Sequence, residues 1–129
     1  MKTYNLNDKD KKLIKREGSN IIFNLILAVV AIIITATFYK NILLTTIILS
    51  IIALIGLIKW KNWLAFWIFI FTGLIGPLVE NFAIGYGAWS YGLPNIANVP
   101  LWLFILWGIA GSIIFEMAKE LKKLGVKDN

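Results

Sequence analysis

The sequence predicts an all-α membrane protein: four transmembrane helices in a compact bundle, with both termini in the cytoplasm. Three observations lead there. Hydrophobic residues make up 59% of the 129 positions and charged residues only 16%, against roughly half and a quarter in soluble domains. The apolar residues gather in long uninterrupted runs rather than short periodic stripes, so they do not describe an ordinary core. The basic residues stand at the ends of those runs, where lipid headgroups and membrane topology call for them.

Residues 1–19 form a basic tail in which Lys2, Lys9, Lys11, Lys12, Lys15 and Arg16 outnumber Asp8, Asp10 and Glu17. Asn7 or Asp8 can cap a short helix ending at Gly18, with a weak apolar edge at Leu6, Leu13 and Ile14. The transmembrane domain, residues 20–118, follows. Its first span, residues 21–39, is about 28 Å long as a helix, enough to cross a hydrocarbon core. That run exceeds the ~7–15 apolar residues of a signal peptide. Lys40-Asn41 is a tight turn, so the second span, residues 42–58, returns beside the first. Lys59 to Asn62 turn the chain again, with Trp60 and Trp63 suited to the headgroup boundary. The third span covers residues 63–79, and residues 80–99 form an outer loop. The fourth span, residues 100–117, opens on Pro100, whose missing N–H would be unpaired there in any case. Residues 119–129 are a second basic tail.

Counting Lys and Arg sets the orientation. With the N-terminus inside, twelve of the thirteen fall on the inner side and only Lys40 lies outside. The net charge of +6 is thereby read as topology and attraction to membrane lipids, not as affinity for nucleic acid. The expected location is the cytoplasmic membrane.

Each span carries small or polar residues at helical spacing. These are Asn24, Ala28, Ala31 and Thr35; Thr46, Ser50 and Ala53; Thr72, Gly73, Gly76 and Glu80; and Gly108, Gly111, Ser112 and Glu116. Small residues let helix backbones approach closely in lipid, so these faces should meet inside the bundle, with Ile, Leu and Phe turned outward. Gly73, Gly76, Gly108, Gly111 and Ser112 are the expected packing positions. No repeat relates the two halves.

With no Cys and no His, thiol and imidazole chemistry are excluded. No metal site or cofactor is expected, because Glu80 and Glu116 fall near opposite membrane faces. Glu116 should pair with Lys119 three residues on, or else with Asn24 at a similar depth. Glu80 follows the Gly76-Pro77 step, where proline removes a helical hydrogen bond and should kink or end the third helix. An ionisable group near a span is a functional candidate; the plainer alternative is a hydrated headgroup-level carboxylate. The loop beyond it is long and dense in Gly and aromatics, with Tyr86, Trp89 and Tyr91 offering π faces, and Trp102 and Trp107 follow on the fourth span. An aromatic belt is the plainer alternative for any one of them. Ile84-Gly85-Tyr86-Gly87 looks like the end of a potassium-channel filter. Ala83 and Ala88, however, stand where a hydroxyl and an acid are wanted.

Glu80, Gly87-Ala88-Trp89-Ser90-Tyr91, Pro94, Val99-Pro100-Leu101-Trp102 and Leu106-Trp107-Gly108 together resemble the pattern of the carotenoid hydratase and membrane lycopene cyclase families. The resemblance covers roughly residues 76–111. Where the cyclases carry Pro-x-Glu, this chain has Pro77-Leu78-Val79-Glu80. The resemblance implies protonation of a double bond in a long isoprenoid, with Glu80 as the acid and Trp89, Tyr91 and Trp107 lining the pocket.

The expected function is therefore acid catalysis by Glu80 on a lipid or isoprenoid in an outward-facing pocket lined by Tyr86, Trp89, Tyr91, Trp102 and Trp107. Two alternatives stay open. One is a non-enzymatic membrane subunit or assembly factor, joined to copies of itself or to a partner membrane protein; the other is an ion channel.

Overall fold

A computed structural model describes residues 5–127; Lys2 and the outermost residues of both basic tails lie outside them. The described residues form four helices: α1 (Asp8–Phe38), α2 (Ile42–Trp60), α3 (Trp63–Gly85) and α4 (Trp102–Lys123). All four are long and apolar enough to cross a membrane.

The N-terminal tail does not make a separate helix ending at Gly18. Asn7 caps α1 by accepting a hydrogen bond from the Asp10 N–H at 2.8 Å, and Asp8 and Asp10 suit the positive end of the helix dipole. From there α1 runs unbroken for 31 residues. A glycine inside a helix costs only about 1 kcal/mol, which the apolar run beyond Gly18 outweighs. At ~1.5 Å per residue α1 is about 46 Å long, so its polar first turns project past the apolar part.

Both short turns are closed by their own side chains. At the first, the Thr45 hydroxyl donates to the Phe38 carbonyl at 2.5 Å, and Asn41 accepts from the Leu44 N–H at 3.1 Å. At the second, Lys61 adopts the left-handed region (φ 49°) and its N–H returns to the Leu57 carbonyl. Asn62 then caps α3 by accepting from the Leu64 N–H at 3.0 Å, while its amide donates to the Glu116 carboxylate at 3.1 Å.

α4 is the centre of the bundle. It packs on all three other helices and most extensively on α3, whereas α2 and α3 barely meet and α1 and α3 do not. The seam between α3 and α4 is built from absent side chains. A Cβ on Gly73 would lie 2.9 Å from the Phe104 carbonyl oxygen, and one on Gly108 would lie 2.7 Å from the Phe69 ring. At Gly111 it would strike Thr72, and at Gly76 the Trp107 indole. Ser112, fully buried, donates to the Ala65 carbonyl at 2.8 Å and ties the two helices together. Close backbone approach at these glycines and an interhelical hydrogen bond carry the contact.

The packing face of α2 sits one residue round from the expected one. Thr45, Leu49, Ile52, Ala53 and Gly56 are buried, while Thr46 and Ser50 are only half-buried and donate to the carbonyls four residues back at 2.7 Å. Thr45 rather than Thr46 faces inward because its hydroxyl closes the turn to α1. On α1, Asn24 and Ala31 are buried, whereas Ala28 and Thr35 are only partly so. The outward surface is aliphatic and aromatic: Ile22, Ile26, Leu43, Ile58, Phe71 and Ile114 are all more than half exposed.

Two glycines test this seam. Gly76→Ala should lower the apparent thermal midpoint in detergent micelles, because overpacking against a ring costs typically ~1–3 kcal/mol. Gly18→Ala, where nothing lies within 4 Å of the added carbon, should raise it, because helix propensity favours Ala over Gly by ~0.5–1 kcal/mol.

Candidate functional site

Proline at position 77 neither ends nor interrupts α3, which continues to Gly85. The connection to α4 therefore begins at Tyr86 rather than at residue 80, and Glu80 and Asn81 stand on helix. Proline cannot donate to the carbonyl four residues earlier. In a helix packed along its length on α4, that single loss is tolerated.

Asn81 then folds the connection back onto the bundle. Its side-chain oxygen accepts from the Asn98 N–H at 2.9 Å. Residues 95–99 form a tight turn closed by the Ile96–Val99 bridge, with Ala97 in the left-handed region. The Asn95 side chain accepts from the Leu101 N–H at 2.8 Å, and Val99 and Pro100 are buried beneath the turn. This anchoring places Tyr91 over α3.

Glu80 is the point of convergence. Its Oε1 accepts a hydrogen bond from the Tyr91 hydroxyl at 2.6 Å, and its Oε2 accepts one from the Trp107 indole N–H at 2.5 Å. Trp107 reaches that oxygen because its ring lies over Gly76, one helical turn before Glu80. The carboxylate borders a cavity of about 290 Å³ whose other walls are Tyr91, Leu103, Leu106, Trp107 and Ala110. One acid is thus set into an otherwise apolar and aromatic pocket. An indole N–H can only donate, and the phenol donates here too, so each carboxylate oxygen accepts one bond and keeps further accepting capacity.

The aromatic candidates divide. Tyr91 and Trp107 line the cavity with Glu80. Trp102 stands behind Tyr91, edge-on at 5.9 Å and 86°, as part of the core. Its buried indole N–H has no hydrogen-bond partner among the described residues. Tyr86 is 81% exposed and leans on Phe82, and Trp89 is 46% exposed; neither lines the cavity. The filter-like segment is not an extended loop. Ile84 and Gly85 form the last turn of α3, and the Ala83 and Ile84 carbonyls are taken by the N–H groups of Tyr86, Gly87 and Ala88.

Burial, then the hydrogen bond to Glu80 and its negative charge, push the Tyr91 phenol above its ordinary value of 10.0. The neutral phenol, the form that donates, is therefore the one the fold favours.

A second polar cluster lies at the opposite end, where the start of α1 meets the end of α4. Glu17, Glu116 and Glu120 are all buried there. Glu17 pairs with Arg16 at 3.0 Å and Lys123 at 3.8 Å. Glu116 pairs with Lys119 at 3.3 Å and accepts from Asn62, not Asn24. Asn24 instead accepts from the Trp60 indole at 2.8 Å, which draws it to α2. Sequence reasoning passed over Glu17 and Glu120. The signal was the spacing Glu17-Asn20-Asn24 on α1 and Glu116-Lys119-Glu120-Lys123 on α4, one polar stripe on each helix. Among the described residues, no group of three or more His, Cys, Asp or Glu side chains is placed to hold a metal ion.

Comparison with protein-family models, with curated proteins and with solved structures finds no match to this chain.

Tyr91 offers a direct readout of the Glu80 constellation. In an alkaline titration followed by tyrosinate absorbance, one phenol should ionise at higher pH than the others. Tyr91→Phe should remove that late step, and Glu80→Gln should shift it downward. The stabilisation linked to this phenol is complete below about pH 10 and declines as pH rises toward the elevated value.

Proposed function

We propose that the chain is an integral protein of the cytoplasmic membrane, with both termini in the cytoplasm, that acts on a lipid or isoprenoid by acid catalysis at Glu80. The distribution of Lys and Arg supports the orientation. Contact between Glu17 of α1 and Lys123 of α4 sets the start of α1 and the end of α4 at one end of the bundle, and in this orientation the Glu80 pocket opens at the outer side.

The observation that carries the reaction is the carboxylate of Glu80 bound by two donors at the edge of an apolar cavity. In the proposed step the Glu80 carboxyl transfers its proton to one carbon of a substrate double bond. The π electrons form the new C–H bond, and the cation is left on the neighbouring carbon. The Tyr91 hydroxyl and the Trp107 indole N–H stand where negative charge develops on Glu80, so they stabilise the transition state without reorganising. The ring faces of the same residues can stabilise the cation. Loss of an adjacent proton to Glu80 completes an isomerisation. Addition of water, whose surplus proton returns to Glu80, completes a hydration. Either outcome is redox-neutral; the isomerisation needs no co-reactant and the hydration consumes one water molecule, and either agrees with the chemistry that the resemblance to the carotenoid hydratases and lycopene cyclases implies.

A second reading, a non-enzymatic subunit or assembly factor, is favoured by the exposed outer aromatics Phe82, Tyr86 and Trp89. Interhelical small residues do not favour it, because Gly73, Gly76, Gly108 and Gly111 are spent inside the chain.

Untargeted lipid mass spectrometry separates the two. Membranes of cells lacking the protein are compared after complementation with wild type or with Glu80→Gln at matched levels. The enzyme reading expects a lipid species converted by wild type only, with at least a hundredfold less product in the variant. Identical profiles would transfer the case to the subunit reading.

A further inference from the structure

A second recess lies away from Glu80. It is a cleft of about 520 Å³ between α2 and α3, lined by Leu54, Leu57, Ile58, Trp63 and Phe66, with Lys61 and Asn62 at its apex. Its origin is topological. Only Lys61 and Asn62 separate the two helices, yet each packs on α4 and they barely touch one another, so they diverge from the turn as a wedge.

The ends of this wedge differ in chemistry. Along its sides it presents aliphatic and aromatic carbon; at the apex it presents positive charge. Lys61 is exposed and makes no ion pair among the described residues. Of the other basic side chains at this end, Lys119 and Lys123 pair with glutamates, and Lys59 lies over the Phe23 ring. The 23-residue helix α3 begins beside Lys61, so the partial positive charge of its N-terminus adds to the ammonium. Trp63, 77% exposed, stands at the same level with its indole available to a headgroup.

We propose that this wedge binds one anionic phospholipid of the cytoplasmic leaflet, its phosphate against Lys61 and the first turn of α3 and an acyl chain along Leu54, Leu57, Ile58 and Phe66. The inference rests on the reading that this end of the bundle faces the cytoplasm, where the leaflet is rich in anionic lipid. The apex argues against a protein helix as occupant. A third helix needs ~8–10 Å of axial separation from each neighbour, which two helices joined by two residues do not leave near their turn. A flexible acyl chain has no such requirement. The volume also falls in the range of about 300–1,000 Å³ typical of sites for small molecules.

The test uses the full chain in phosphatidylcholine vesicles carrying an increasing mole fraction of brominated phosphatidylglycerol or, in a parallel series, of brominated phosphatidylcholine, read by tryptophan quenching. One lysine near a membrane surface corresponds to about a fivefold preference for anionic lipid. Brominated phosphatidylglycerol should therefore quench at about one fifth of the mole fraction the neutral lipid needs. Most of that excess should vanish in Trp63→Phe and in Lys61→Asn, since asparagine also tolerates the left-handed backbone at that position. Equal quenching by the two lipids, or an excess that survives Lys61→Asn, would overturn the inference while leaving the membrane reading intact. So would a discrete cross-linked dimer closed across the wedge. No quenching by either lipid would overturn both.

Discussion

The site depends on a side chain that is not there. Gly76 leaves the surface of α3 bare, the Trp107 indole lies across it, and the indole N–H thereby reaches the Glu80 carboxylate one turn further along. Without that gap the two helices would have to separate or the ring would have to turn away. The same residue that permits close packing of α3 on α4 therefore also aims the hydrogen bond. Packing and chemistry share one geometric requirement, and Tyr91, brought over by the Asn81–Asn98 contact, completes it from the loop side.

Around this contact the helices play unequal parts. α4 is the element on which the other three are assembled, and it carries Trp107 toward one end and Glu116 and Glu120 toward the other. The polar cluster of Glu17, Glu116 and Glu120 with Arg16, Lys119 and Lys123 ties the start of α1 to the end of α4. Buried carboxylates of this kind are strongly destabilising when one partner is removed, so they fix the arrangement of helices even where their net contribution to stability is small. The wedge between α2 and α3 is the reciprocal consequence, since two helices that both pack on a third need not pack on each other.

The four helices were legible because each is a long, continuous apolar segment of the length that a spanning helix needs. Close packing of α3 on α4 was legible for a related reason, as Gly73, Gly76, Gly108 and Gly111 repeat at helical spacing and small residues are the means of approach in lipid. Other features were decided by tertiary contacts that spacing does not encode. Pro77 was expected to kink or end α3, and the helix does not end there but continues to Gly85. The inward face of α2 turned on which of two adjacent threonines, Thr45 or Thr46, closes a turn. In the site, the meeting of Glu80 with Tyr91 and Trp107 followed from helical phase and a loop anchor. Tyr86 and Trp89 were equally plausible by composition and point elsewhere. Glu17 and Glu120 were hidden among lysines, where charged residues normally read as solvated.

The most direct test of the account is a double-mutant cycle between Glu80→Gln and Trp107→Phe, with Gly76 and Tyr91 unchanged, read as apparent stability in the same micelles. The hydrogen bond between them predicts a coupling energy of about 1–2 kcal/mol, the double variant losing less than the sum of the two single losses. Strict additivity, with no coupling beyond about 0.3 kcal/mol, would contradict the claim that Trp107 holds the Glu80 carboxylate.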